Sequence, residues 1–153
     1  MTHKLKNVPL NILLADDDSD DRYFFEKALK EINIPTNLTM VVDGERLMDY
    51  LIKNTSALPD VLFLDLNMPR KNGSECLTEI KQNEKLKHIP VILCSTSLGN
   101  DFATALFKTG AHYYLHKCDY SELKICIQKI LLMLAKNPMQ PSRDKFMLSL
   151  QEA

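Results

Sequence analysis

The 153-residue chain has no tryptophan, and its four cysteines form no C-x-x-C pair. Cys76, Cys94, Cys118 and Cys126 also lack a histidine at metal-ligand spacing. The spacing gives neither a thiolate metal site nor a dithiol redox pair. Cys94 in an apolar run and Cys126 on an amphipathic helix read as small buried hydrophobes in a reducing compartment. No run approaches the roughly 18 consecutive apolar residues of a membrane helix. Met1 to Leu10 lacks the apolar region of a secretory signal, so a cytoplasmic protein is expected. No basic run appears and the net charge is −1, which gives no support for nucleic-acid binding. Repeats and low-complexity blocks are absent. A hydrophobic fraction of 45% suffices for a real core, and the length fits one domain with a tail.

What is present is a series of apolar runs, most of them ending in a polar group. Leu10–Ala15 reads as a buried strand running straight into Asp16-Asp17-Asp18-Ser19-Asp20-Asp21. Asp18 suits a helix N-cap, and Asp20 and Asp21 suit the first helical turn. Asp16 and Asp17 come directly off the strand and are not explained that way. The helix that follows carries Phe24, Phe25, Ala28, Leu29 and Ile32 as an apolar stripe and stops before Pro35. Leu38–Val42 is a second strand, Asp43-Gly44 a turn, and Glu45–Lys53 a short helix with Leu47, Leu51 and Ile52 inward. Val61–Leu64 is an unbroken apolar run interrupted by Asp65. A carboxylate at the end of a buried strand is costly unless it is paired.

Pro69 and Asn72-Gly73 mark the turn into a third helix. Asn72 and Glu75 have capping-box spacing, and Cys76, Leu77 and Ile80 face the core. Lys81–His88 reads as a polar loop. Ile89–Ser95 is a fourth strand, ending in Ser95-Thr96. A helix with Phe102, Ala105 and Leu106 on one face closes at Gly110. Ala111–His116 is a fifth strand, and Lys117 ends it. Asp119 and Glu122 again have capping-box spacing. Leu123, Ile127, Ile130, Leu131 and Leu134 line the last helix, which ends at Asn137-Pro138. His3, His88, His112 and His116 show no partner pattern and read as surface or edge residues.

Five strands alternating with five helices imply a parallel sheet covered on both faces, with right-handed crossovers. The strand C-termini then share one edge, where open α/β sheets bind ligands. Four strands end there in Asp16-Asp17, Asp65, Ser95-Thr96 and Lys117, so residues distant in sequence converge on one crevice. Asp16, Asp17 and Asp65 together would not all stay ionised without a cation. A few hard oxygen ligands with room for water suit Mg²⁺. Lys117 can balance the remaining charge and hold a phosphoryl group, and Ser95 can donate to a phosphoryl oxygen. An aspartate can itself attack phosphorus and form an aspartyl phosphate. Alternation puts His116 on the face opposite Lys117. Acids at adjacent strand ends are a poor device for stability alone.

These residues carry a resemblance to the receiver domains of two-component response regulators. It spans residues 8–136 and rests on Ile12-Leu-Leu-Ala-Asp16-Asp17 and on Leu62-Phe-Leu-Asp65-Leu-Asn67-Met68-Pro69 with Gly73. Pro90-Val-Ile-Leu-Cys-Ser95-Thr96, and Gly110-Ala111 followed by Tyr114-x-x-Lys117, complete it. The resemblance implies an α/β, flavodoxin-like, doubly wound five-stranded parallel sheet of order 2-1-3-4-5 with five helices. It implies that Asp65 is the phosphoacceptor. Asp17, Asp65 and the Asn67 backbone carbonyl would ligate Mg²⁺, with Asp16 acting through water. Lys117 would bind the phosphoryl group, while Ser95 and Tyr114 would be the switch hydroxyl and the rotating aromatic. The family usually has proline after the lysine, in a cis peptide; here it is Cys118, so that bond is either trans in a reshaped loop or strained. The Asp-Asp-Ser-Asp-Asp-Arg run resembles phytochrome-associated regulators more than chemotaxis ones.

The expectation is a stand-alone phosphoacceptor switch rather than a turnover enzyme. Residues 1–7 would be a leader, 8–136 the receiver and 137–153 a tail with no output domain. The donor would be a phosphohistidine on a sensor kinase or a histidine phosphotransfer protein. Output would pass to a partner protein or through self-association, over a surface around Phe102, Leu106 and Tyr114, with no nucleic acid or membrane involved. Within the tail, Phe146, Met147, Leu148 and Leu150 could dock as an apolar segment. One alternative is a phosphorylation-independent receiver scaffold. Another is a Mg²⁺-dependent aspartyl phosphohydrolase, which would want an acid where Asn67 stands. A flavin carrier would need a phosphate loop where Asp16-Asp17-Asp18 stands.

Overall fold

The computed structural model describes residues 8–96, 98–117 and 119–148, and the five expected strands are all present and parallel. The strands are β1 (Leu10–Ala15), β2 (Thr36–Val41), β3 (Val61–Asp65), β4 (Val91–Ser95), β5 (Tyr113–His116) and the short β6 (Met147–Leu148). They stand in the order β2-β1-β3-β4-β5-β6, and each neighbouring pair is parallel. The helices are α1 (Ser19–Glu31), α2 (Gly44–Lys53), α3 (Gly73–Gln82), α4 (Asn100–Thr109) and α5 (Tyr120–Lys136). The expected order is therefore present, with a sixth strand added beyond β5.

The sheet separates two apolar cores. Leu62 and Leu64 face one, with Leu47, Leu51, Leu77, Ile80 and Leu106 from α2, α3 and α4. Val61 and Phe63 face the other, with Phe25, Leu29, Ile127 and Ile130 from α1 and α5. This is the period-2 alternation of a strand buried on both sides. It explains why β3 reads as a continuous apolar run.

Side chains start the helices as their spacing predicts. The Asp18 carboxylate accepts from the backbone N–H groups of Asp20 and Asp21 at 2.8 and 3.0 Å. Asn72 and Glu75 form a reciprocal capping box at 2.9 and 3.0 Å. Asp119 accepts from the Glu122 N–H at 3.0 Å. Such caps contribute about 1 kcal/mol each.

Some inward faces differ from expectation. In α2, Met48 is buried and Ile52 is exposed; in α4, Ala103 and Leu106 are buried while Phe102 and Ala105 are exposed. Apolar residues one or two apart on a helix cannot all face one way, and the sheet selects one set. Residues 81–88 are not a loose polar loop. Leu86 is fully buried, and the Lys81 amine donates to the carbonyls of Lys87 and Ile89 at 3.0 and 2.7 Å. His112 is buried rather than a surface residue.

The segment after α5 docks against β5 and α4. Phe146 is fully buried, edge-on to Phe107 at 5.6 Å, and its carbonyl accepts from the Tyr114 N–H at 2.8 Å. The Gln140 side chain donates to the carbonyls of Phe107 and Ala111, each at 2.8 Å. The His112 Nε2 lies 2.9 Å from the Pro138 carbonyl. A carbonyl only accepts, so Nε2 carries the proton. Leu148, on β6, is buried in the opposite core from Phe146, whereas Leu150 lies outside the described residues.

Two outcomes follow for stability. Phe146→Ala should lower the free energy of urea unfolding by about 3–5 kcal/mol, the usual cost of emptying an aromatic core site. His112 gives a pH dependence. Burial and the nearby Lys81 charge hold its pKa down to about 4. Between the unfolded value, about 6.5, and that folded value, the unfolded chain takes up a proton that the folded chain refuses. Stability contributed by neutral His112 is thus present above pH ~6.5 and lost as pH falls through ~4. In urea titrations, the advantage of the wild type over His112→Gln should shrink steadily across that window.

Candidate functional site: an acidic pocket at the strand ends

The registers bring the strand ends level. Ala15 pairs with Leu64, so Asp16 and Asp65 leave their strands side by side. Asp65 pairs with Cys94, and Ser95 pairs with His116, which brings Ser95 and Lys117 to the same edge. The Lys117 N–H donates to the Ser95 carbonyl at 2.8 Å, so the sheet ladder itself sets the start of the lysine loop.

Asp16 and Asp65 are buried, while Asp17 is exposed at the rim. Each of the three offers a carboxylate oxygen, and these oxygens lie within 4.8 Å of one another. An all-oxygen set of this size, open on one side, fits a hard divalent cation such as Mg²⁺ or Mn²⁺. Burial pushes the Asp65 carboxyl up to about 6, against the opposing pull of the Asn67 N–H and Lys117, with the Asp16 charge adding to the rise. Burial raises the Asp16 carboxyl as well, although the Asp18 N–H and Lys117 work against it. Both shifts express the same strain: acids held close together out of water.

Lys117 is the cation that the pocket itself supplies. Its Nζ lies 3.3 Å from Asp16 Oδ2, 3.4 Å from Asp65 Oδ1 and 2.9 Å from Asp21 Oδ2. Burial alone would lower its pKa, but the hydrogen bond to Asp21 and the charges of Asp16 and Asp65 raise it above the usual lysine value. The ammonium is therefore permanently charged at neutral pH. Asp65 Oδ1 also accepts from the Asn67 N–H at 3.1 Å, and Asp16 Oδ1 accepts from the Asp18 N–H at 3.0 Å.

Ser95 and Tyr114 meet directly. The two hydroxyl oxygens are 3.1 Å apart, and the Tyr114 O–H lies 3.0 Å from the Ser95 carbonyl, placed to donate to it. Both residues are buried. Leu106 is buried too, whereas Phe102 is 46% exposed. The peptide bond between Lys117 and Cys118 lies outside the described residues. Cys76, Cys94 and Cys126 are free and buried.

Two features of the site escaped the sequence reading. Asp21 was assigned to the helix dipole, yet it makes the shortest contact to Lys117. Its place in the first turn of α1, on the same edge as the strand ends, was the available signal. The second is Gly73, a close-approach glycine. A Cβ there would press on the Asp65 carbonyl oxygen and come within 2.8 Å of the Leu66 Cα. The Gly73 N–H also donates to the Leu66 carbonyl at 3.0 Å. The α3 N-terminus is thereby held against the loop that carries Asp65.

A parallel sheet of this order, with acids, a hydroxyl and a lysine gathered on its carboxyl edge, defines a receiver. The chain belongs to that family: its profile, the response regulator receiver domain, matches residues 12–128. The response regulator Rcp1 of Synechocystis sp. is 37% identical over 115 residues, which cover 72% of this chain and 78% of that protein. The crystal structure of the Mn(2+)-bound form of Rcp1 superimposes with a TM-score of 0.76 at 33% identity, covering 88% of this chain and 100% of that one. The phosphorylated cyanobacterial phytochrome response regulator RcpA gives 0.76 at 31% identity, covering 88% and 99%. No helix among the described residues is long and apolar enough to cross a membrane.

Substituting Gly73 tests the close approach. Gly73→Ala should destabilise the fold by about 1–3 kcal/mol, as overpacking does. It should also weaken Mn²⁺ binding in calorimetry, because the backbone that must give way carries Asp65. Unchanged melting and unchanged Mn²⁺ affinity would contradict that picture.

Proposed function

We propose that the chain is a phosphoacceptor switch whose acceptor is Asp65. One observation carries the reading: the buried Asp65 carboxylate lies 3.4 Å from the Lys117 ammonium and within one cation's reach of Asp16 and Asp17. A nucleophile with a fixed cation beside it, and room for a second, suits attack on a phosphoryl group. Mg²⁺ fits the donor set, with Asp17, Asp65 and the Asn67 carbonyl as ligands and Asp16 acting through water. When bound, the ion offsets charge on the phosphoryl oxygens. The Mn²⁺-bound Rcp1 and the phosphorylated RcpA support the same assignment.

Receiver domains pair with histidine kinases, so the donor is a phosphohistidine on a kinase or on a histidine phosphotransfer protein. A carboxylate oxygen of Asp65 attacks phosphorus, the bond from phosphorus to the imidazole nitrogen breaks, and an acyl phosphate forms. Water later hydrolyses it, so the chain is a phosphoryl acceptor with at most self-dephosphorylation activity rather than a turnover enzyme. Lys117 supplies N–H donors to the phosphoryl oxygens. The Ser95 hydroxyl turns toward the same oxygens and gives up its contact with Tyr114. Tyr114 then has a different best position, and a two-state shift of α4 and β5 follows. Output passes to a partner protein or a second copy over the α4–β5 face, where Phe102 is exposed and the expected contact residues Leu106 and Tyr114 are instead buried beneath the surface. Residues 8–136 form the receiver, and 137–153 are a C-terminal segment of which 138–148 pack against it.

The test is incubation with Mg²⁺ and acetyl phosphate followed by intact mass. The expected product is one phosphoryl adduct, lost in Asp65→Asn and labile to hydroxylamine. A folded wild type that takes no phosphoryl group from any donor would favour the scaffold alternative. Steady turnover of many phosphate esters would favour a hydrolase.

A further inference from the structure

The ammonium of Lys117 has three N–H donors. Three carboxylates lie within 3.4 Å of it: Asp21 at 2.9 Å, Asp16 at 3.3 Å and Asp65 at 3.4 Å. The Asp21 contact is a hydrogen bond and the other two are ion pairs, so three carboxylates share the ammonium at rest. A phosphoryl group arriving on Asp65 brings oxygens that need a donor from the same lysine, so one carboxylate must yield. Asp65 itself becomes the acyl phosphate and stays in place. Asp16 is buried, so its side chain cannot trade the lysine for water without cost. The Asp21 side chain is 42% exposed, so water can solvate it on release. Asp21 also makes the shortest contact of the three and stands on a different element, the first turn of α1, from the acids beneath it.

We infer that Asp21 is a positioning residue that holds Lys117 in the resting state and competes with the phosphoryl group for it. Asp21 thereby sets how readily the switch turns on. This role rests on the phosphoacceptor reading and adds a regulator to it. Asp21 touches no reacting atom; it acts only through Lys117. Its neighbour Asp20 lies exposed in the same helical turn and takes part in none of the lysine's ion pairs among the described residues. Removing either carboxylate changes the local charge equally, so the pair separates a contact effect from a general field effect.

The experiment measures binding of beryllofluoride, a phosphoryl analogue, to the Mg²⁺-loaded protein. Asp21→Asn should bind it about 2- to 5-fold more tightly than wild type, the size expected of a half-exposed ion pair. Asp21→Glu, which keeps the charge within reach of the lysine, should return most of the way to wild type. Asp20→Asn should change affinity by less than half as much on a logarithmic scale. In a Lys117→Ala background the gain from Asp21→Asn should vanish. A melting curve in EDTA reads the same pair without metal: Asp21→Asn and Lys117→Ala should be non-additive there.

Equal tightening by Asp20→Asn and Asp21→Asn would reduce the effect to net charge and overturn the role. Weaker binding in Asp21→Asn would make Asp21 an aid to the lysine rather than a rival for it, and would overturn the role too. A lower melting temperature with unchanged affinity would leave Asp21 merely structural. A wild type that binds beryllofluoride while Asp21→Asn does not differ from it defeats this role alone. A folded wild type that binds none defeats the phosphoacceptor reading and this role with it.

Discussion

Everything at the carboxyl edge depends on one ammonium standing among carboxylates. Lys117 touches Asp16, Asp21 and Asp65, and Asp17 stands at the rim of the same pocket. One positive charge does not neutralise four acids. Burial, with a smaller addition from the neighbouring acids, raises the carboxyl pKa values of Asp16 and Asp65. A site left short of positive charge attracts a divalent cation. With that charge balanced, it would tolerate the proposed phosphoryl group, which a purely acidic crevice would repel.

The fold exists to hold that imbalance still. β3 is buried on both faces, so Asp65 has little freedom at its root. β1 and β4 flank it and bring Asp16 and the Ser95 region to the same level. Gly73 lets the α3 N-terminus lie against the Asp65 backbone. A second close approach joins the neighbouring loops, since a Cβ on Gly44 would meet the Lys71 backbone and side chain. The loop after β3 also holds Arg70 at φ 69°, a left-handed conformation uncommon for a non-glycine residue. The Arg70 guanidinium there lies 3.6 Å from the buried Asp43 carboxylate that caps α2.

The opposite flank of the sheet is more committed than a bare five-stranded edge. The strand edge of β5 is covered by β6, which limits pairing with another chain at that point. Phe146 completes the core that contains Tyr114 and Leu106. The face on which a receiver's output is proposed therefore includes residues 138–148 as part of its packing. Its state and the hydroxyl pair of Ser95 and Tyr114 are joined through one strand, because Tyr114 offers its hydroxyl to Ser95 and its N–H to Phe146.

Much of this was legible in the sequence. The continuous apolar runs announced strands buried on both sides, and Asp18, Asn72 and Asp119 announced helix starts at fixed spacing. Asp65 was conspicuous because a charge ended an apolar run, and Lys117 because it ended another. These are local signals: a strand end, a cap or a stripe needs only neighbours along the chain. The inward faces of α2 and α4 were less legible, since Ile52 and Phe102 are as apolar as the residues that are buried. The burial of His112, the tethering of Lys81 and the docking of Phe146 depend on elements far away in sequence. Asp21 is the clearest case. Its position in the first helical turn was evident from the chain alone, but its meeting with a lysine 96 residues later was not. Sequence determined which groups arrive at the edge, because strand ends and parallel topology follow from local pattern. Only the tertiary structure decided which carboxylates share the lysine, because that depends on how α1 packs against α5 and on distances of a few tenths of an ångström.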